Sequence, residues 1–215
     1  ECTIRDSYVN NNTALWYGGG IYNNSDYDSS AEVCSGAKLT IENTQISGNI
    51  VGDENSTKSA GGGIYISEDY NVNHVNITNS TIENNRCLKS ASRGICYGGG
   101  IYTEATLNIK NSKVINNNCP DNSYGAGIYS KQHGTVSLYS VEITGNKCTS
   151  EGAYGAGIYI QFPYEKQCLT VDGRVNITKN TCGESKNSNV LLSNGQDSDS
   201  KVFDTAITIG NSFSE

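Results

Sequence analysis

The chain has 215 residues, 35% of them hydrophobic and 17% charged, with a formal net charge of −7. That length suits one domain with a real core or one elongated repeat domain, and an acidic balance without a basic stripe argues against a nucleic-acid binder. No apolar run approaches the roughly 18 residues of a membrane span, and a chain with no methionine and no leader segment is expected to be a mature piece of a longer protein.

The first predicted element is CTIRDSYVNNN, residues 2–12, and the second is WYGGGIYN, residues 16–23. Both return in the same order along the chain. The first recurs as LTIENTQISGN (39–49), VNITNSTIENN (75–85), LNIKNSKVINN (107–117), VSLYSVEITGN (136–146) and LTVDGRVNITKN (169–180, one residue longer). The second recurs as GGGIY ending at Tyr65 and Tyr102, as GAGIY ending at Tyr129 and Tyr159, and in degenerate form as SNVLLS, residues 188–193. A further copy of the first motif opens at AITIGNSFSE, residues 206–215, and is expected to be truncated. The tyrosines are spaced by 43, 37, 27 and 30 residues, so the unit is constant and its loops are not.

Within the first motif, apolar residues alternate with polar ones: Leu39 and Ile41, Val75 and Ile77, Leu107 and Ile109, Val136 and Leu138. Period two predicts half-buried strands. A turn residue follows (Asp6, Asn43, Asn79, Asn111 or Gly173), then a second short strand carrying Val9, Ile46, Ile82, Val114, Ile143 or Ile177. Each copy closes on Asn12, Asn49, Asn85, Asn117, Asn146 or Asn180. Recurrence of this order predicts one domain over 1–215: an all-β, single-stranded parallel β-helix of about six coils, three short strands per coil and variable loops. Six coils give a rod about 30 Å tall. A β-sandwich would not repeat the same motif order.

Stacked coils turn sequence positions into columns. Ile21, Ile64, Ile101, Ile128, Ile158 and Val190 are expected to face inward, and the closing asparagines to stack at a bend. Tyr22, Tyr65, Tyr102, Tyr129 and Tyr159 then face outward as an external ladder, beside a second set at Tyr17, Tyr97, Tyr124 and Tyr154. This ladder either reinforces the rod or offers an amphipathic binding face, and these five tyrosines are the candidate binding residues. The column Ala14, Val51, Cys87, Cys119, Cys148, Cys182 is either a stack of buried thiols or a set of inter-coil disulfides, Cys87 with Cys119 and Cys148 with Cys182. Cys2 and Cys34 are the favoured disulfide pair, while Cys96 and Cys168 stay unassigned. Eight cysteines favour an oxidising compartment. Glycosylation sequons fall at Asn11, Asn23, Asn55, Asn76, Asn79 and Asn176.

The glycine triplets lack Gly-Lys-Ser/Thr and precede strands, so they are not phosphate loops. No metal site or cofactor is expected: cysteine spacing is wrong for zinc, and His74 and His133 are the two histidines. Acidic residues on strands (Glu42, Glu83, Glu142, Asp172) are scattered rather than clustered for acid/base work, while Asp197, Asp199 and Asp204 read as solvated turn residues. The loops 53–58 and 67–73 carry no calcium signature.

GGGIY and GAGIY alternating with ISGN, IENN, VINN, ITGN and ITKN resemble the repeats of the polymorphic membrane protein family, a GGA(I/L/V) tetrapeptide alternating with FxxN. The resemblance spans residues 2–180. Here Ile or Val replaces the aromatic of FxxN, and glycine replaces the alanine of the tetrapeptide. The resemblance implies a right-handed parallel β-helix on a cell surface that mediates adhesion to host cells. The motif residues are scaffold and transfer no binding site. The expected function is that of an extracellular, non-enzymatic adhesin segment, binding a host-cell protein or glycan, with self-association along the rod or through its ends as a further partner reading. The rival readings are a polysaccharide-active lyase or hydrolase on the same fold, and a passive structural stalk.

Overall fold

The computed structural model describes residues 1–24, 27–28, 33–34, 38–67, 74–89, 94–120, 123–131, 134–149, 153–161, 168–183, 186–193 and 207–209. These wind as a right-handed parallel β-solenoid of about five turns. Four faces run its length. Face A holds Cys2–Arg5, Lys38–Glu42, His74–Thr78, Thr106–Lys110, Thr135–Tyr139, Leu169–Asp172 and Ile207–Ile209. Face B runs from Tyr8–Asn10 to Asn176–Thr178, and face C begins at Thr13–Ala14 and climbs to Thr181–Cys182. Face D runs from Ile21–Asn23 to Val190–Ser193. A short fifth sheet, Lys58–Ala60, Ile95–Tyr97 and Ser123–Tyr124, lies between C and D and is extended by bridges Tyr17 to Ala60 and Tyr124 to Tyr154.

Each turn thus has four or five strands, not three. The strands that the sequence did not reveal are two or three residues long, too short for alternation to register. Register is exact to the residue type: Ile64 lies between Ile21 and Ile101, and Tyr65 between Tyr22 and Tyr102.

Two of the bends in each rung join faces A, B and C. At the bend from A to B, Asp6, Asn43, Asn79, Asn111, Ser140 and Gly173 all have φ between 48° and 66°. At the bend from B to C, Asn11, Gly48, Asn84, Asn116, Gly145 and Lys179 have φ between 55° and 69°. This left-handed region favours Gly, Asn and Asp, which explains their recurrence at fixed positions. Ser140 and Lys179 take the same conformation without belonging to those types.

Between the bends, alternate residues point to the axis. Leu39, Ile41, Ile46, Ile64, Ile101, Leu107 and Ile128, all 3% exposed or less, belong to one continuous core that stacks rung on rung. The isoleucine column is inward, as expected. In the first rung Ile4, Val9 and Ile21 are only partly buried, because a rung lies on one side of them.

Candidate binding surfaces

The tyrosine ladder exists, but it is not a surface. Tyr22 is 52% exposed, whereas Tyr65, Tyr102, Tyr129 and Tyr159 are 9% or less. Their rings stack face to face with centroids 5.3, 4.7, 5.2 and 5.6 Å apart. The second tyrosine row covers them: Tyr17 lies 4.7 Å from Tyr65, Tyr97 4.7 Å from Tyr129, and Tyr124 5.0 Å from Tyr159. Strand parity does turn the ladder away from the axis. The short fifth sheet then carries the outer row over it, forming a second, aromatic core. The Tyr102 hydroxyl bonds Glu104, which also pairs with Lys131 at 2.8 Å, and the Tyr129 hydroxyl donates to Gln161. Burial pushes the phenols of Tyr65, Tyr102 and Tyr129 well above their usual range.

The asparagine column is likewise interior. Asn49, Asn85, Asn117, Asn146 and Asn180 are fully buried. Each Oδ1 accepts the backbone N–H and the Nδ2–H of the asparagine one rung earlier, as in Asn85 to Asn117 at 3.0 Å for both bonds. Each Nδ2 also donates to a face B carbonyl of the preceding rung, as in Asn117 to Ile82 at 3.0 Å. For Asn180 the acceptor is Asn189, whose Oδ1 takes both the backbone N–H and an Nδ2–H of Asn180. The third glycine of each triplet exists because of this ladder. A Cβ on Gly100 would lie 2.7 Å from the Gly127 carbonyl oxygen and 2.9 Å from Asn117 Nδ2. The two motifs that alternate in the sequence are therefore two sides of one contact.

Cys87, Cys119, Cys148 and Cys182 stack in register beneath face C, buried among Ala126, Ala153, Ala156 and Cys96. They stand as thiols. In-register parallel strands point the Cβ vectors the same way, the wrong geometry for a bridge. Cys87 instead donates to the carbonyls of Ser59 and Tyr97 at 3.7 and 3.6 Å. Burial raises the thiols of Cys87 and Cys119, while the Cys148–Cys182 hydrogen bond pushes Cys148 up and Cys182 down. Cys2 is an exposed thiol, and the side chain of Cys34 lies outside the described residues.

The outside is mixed: Tyr8, Leu15, Trp16, Tyr22, Ile95, Tyr139 and Tyr154 stand exposed among polar columns. Face A presents the column Thr3, Thr40, Asn76, Asn108, Ser137 and Thr170, exposed or half-exposed in each rung, with Asn108 bonded to Asn76 at 3.0 Å. At the bend from A to B the exposed row is Asp6, Asn43, Asn79 and Asn111. Just inside it runs a hydroxyl ladder missed by the sequence reading. Ser80 Oγ accepts the Thr44 N–H and Ser112 Oγ the Ser80 N–H, while each hydroxyl donates to the carbonyl two residues back. Its signal was the Ser or Thr after the first four turn residues: Ser7, Thr44, Ser80 and Ser112.

Three of the strand acids lie apart, each on a partner of its own: Glu42 with Arg5 at 2.7 Å, Glu83 with Gln45 at 2.6 Å and Glu142 with Lys113 at 3.2 Å. Asp53 accepts from Ser56 and Asn55, which hold its carboxyl below the usual range. Residues 68–73, Asp197, Asp199 and Asp204 lie outside the described residues. Among the described residues, no group of three or more His, Cys, Asp or Glu is arranged to hold a metal. Of the sequons, Asn11, Asn55, Asn76, Asn79 and Asn176 are exposed. Asn23 is not a workable acceptor in the folded chain, because its Nδ2 is enclosed.

The model of the Chlamydia polymorphic membrane protein repeat matches residues 6–24. No curated protein and no solved structure matches the chain. The matched stretch holds the first A-to-B bend, the first face B strand, Asn12 and the first glycine triplet, and with the parallel solenoid it is consistent with a β-helix repeat family in general.

Proposed function

We propose that this solenoid is a non-enzymatic adhesive module of an extracellular or cell-surface protein, of the polymorphic membrane protein type, that binds a protein or glycan on a host or neighbouring cell. One observation carries the reading. The closing asparagines from Asn49 to Asn180, the third glycines and the tyrosines from Tyr65 to Tyr159 are spent on interior contacts, while faces A and B keep exposed polar columns in register from rung to rung. A rigid array of hydrogen-bonding groups loses little freedom when it binds, which favours recognition over a long surface. The family match over residues 6–24 supports the cell-surface setting. The test is saturable adherence of the purified chain, displayed on beads, to a panel of epithelial and microbial cells. Saturable, competable adherence is the expected result. Beads that bind none of them would leave the stalk reading in its place.

A further inference from the structure

The A-to-B bend of the first three rungs forms a groove of about 580 Å³, within the range of ligand sites. Its wall is a fixed polar array. Asn43 Nδ2 donates to Asp6 Oδ1 at 3.0 Å, and Gln45 Nε2 donates to Glu83 at 2.6 Å. Thr44, 2% exposed, has its hydroxyl tied to the Glu42 carbonyl at 2.7 Å. Asn79 and Thr81 continue the array in the third rung, and at the first rung Tyr8, 78% exposed, lays an open aromatic ring beside it.

Planar amides, hydroxyls and a carboxylate beside a bare aromatic ring are the groups that recognise a sugar: the ring covers a pyranose C–H face, and the amides exchange hydrogen bonds with its hydroxyls. Asp6 is the one carboxylate in the lining, the lining holds no cationic side chain, and the chain carries −7 overall. That balance repels sialylated, sulfated or uronic chains. We propose that this groove binds a short neutral oligosaccharide, with Tyr8 as the stacking platform and Asn43 and Asn79 as the hydroxyl-reading amides. The proposal deepens the adhesive reading and rests on it.

The column supplies its own variants. Asn43 and Asn79 have φ of 48° and 50°, and the same column holds Gly173, so Asn→Gly removes the amide while keeping the bend. The 215-residue chain, produced without glycosylation so that Asn79 stays bare, is titrated against neutral mannose-, galactose- and glucose-based oligosaccharides and against sialylated and sulfated ones. Neutral ligands alone are expected to bind, with affinity falling about tenfold in Tyr8→Ser and in Asn79→Gly, as expected for one lost stacking or hydrogen-bonding contact. Asn111→Gly, in the same row beyond the groove, leaves binding unchanged. No binding of neutral ligands, binding of anionic ligands only, or equal binding by all variants overturns the proposal. Cell adherence, measured on the same proteins, keeps the two readings apart: adherence that survives Tyr8→Ser and Asn79→Gly removes the groove but not the module.

Discussion

Asn117 touches no solvent, yet four side-chain hydrogen bonds pass through it: two accepted from Asn85, one donated to Ile82 and one to Asn146. Asn117→Ala strands buried donors on Asn85 and the carbonyl of Ile82. Unsatisfied buried groups cost about 1–3 kcal/mol each, so the variant is expected to lose at least about 3 kcal/mol, read as a lower urea midpoint. Asn111→Gly, six residues earlier, removes an exposed amide at a φ of 49° and is expected to change the stability by no more than about 0.5 kcal/mol. The two asparagines look alike in the sequence. The closing position was legible because it recurs at a constant distance from the second strand. That its partner is the third glycine was not, because the contact joins residues of different rungs, 17 to 29 positions apart.

At the scale of the element, strand parity gave the correct direction for the tyrosines and a wrong exposure. Alternation says which side of a strand a residue takes. It does not say what lies on that side, and here a three-residue strand ending in Tyr97 brings a second aromatic row across the first. Replacing Tyr65, Tyr102 and Tyr129 would therefore empty an aromatic core, with losses of about 3–5 kcal/mol for each large ring removed. The buried phenols also fix a pH dependence. Tyr65, Tyr102 and Tyr129 titrate higher folded than unfolded, burial being the first cause. Their contribution to stability is whole below the unfolded value of about 10 and is lost as pH rises above it. Each adds a slope of about 1.4 kcal/mol per pH unit there. Urea midpoints measured from about pH 8 to pH 11 are expected to stay level and then fall steeply beyond 10. A flat profile would mean that the ladder is open to water.

Across the whole molecule, the solenoid separates what is rigid from what is free. Between Ile21–Asn23 and Lys38–Glu42 the chain spends fourteen residues, 24–37, on a link that takes two, 104–105, two rungs later. The bends never vary so widely. A three-residue Gly-Ser-Gly insertion between Ser29 and Ser30 is expected to cost less than about 1 kcal/mol, since closure entropy grows slowly with loop length. The A-to-B bend absorbs one extra residue, since 173–175 replace 140–141 with the register of Ile143 on Ile177 kept. The B-to-C bend has one length in every rung, so one residue inserted between Asn116 and Asn117 would push Asn117 out of its column and is expected to abolish cooperative unfolding, followed by circular dichroism in urea. The repeated motifs made the architecture readable, including the order of its columns. The outer surfaces were not readable in the same way, because a groove such as that beside Tyr8 is made by three rungs at once and leaves no local pattern.

Asn189 occupies the column that Gly157 and the earlier third glycines hold, since the N–H groups of Ile158 and Gly157 reach the carbonyls of Asn189 and Ser188. Every other member of that column must lack a side chain to admit the asparagine arriving from the next turn. Asn189 keeps its side chain and swings it into that very berth. A position that elsewhere demands emptiness is filled from within, so this turn supplies its own acceptor. One exchange in a repeat, glycine to asparagine, thus replaces a hydrogen bond between turns by a hydrogen bond within one.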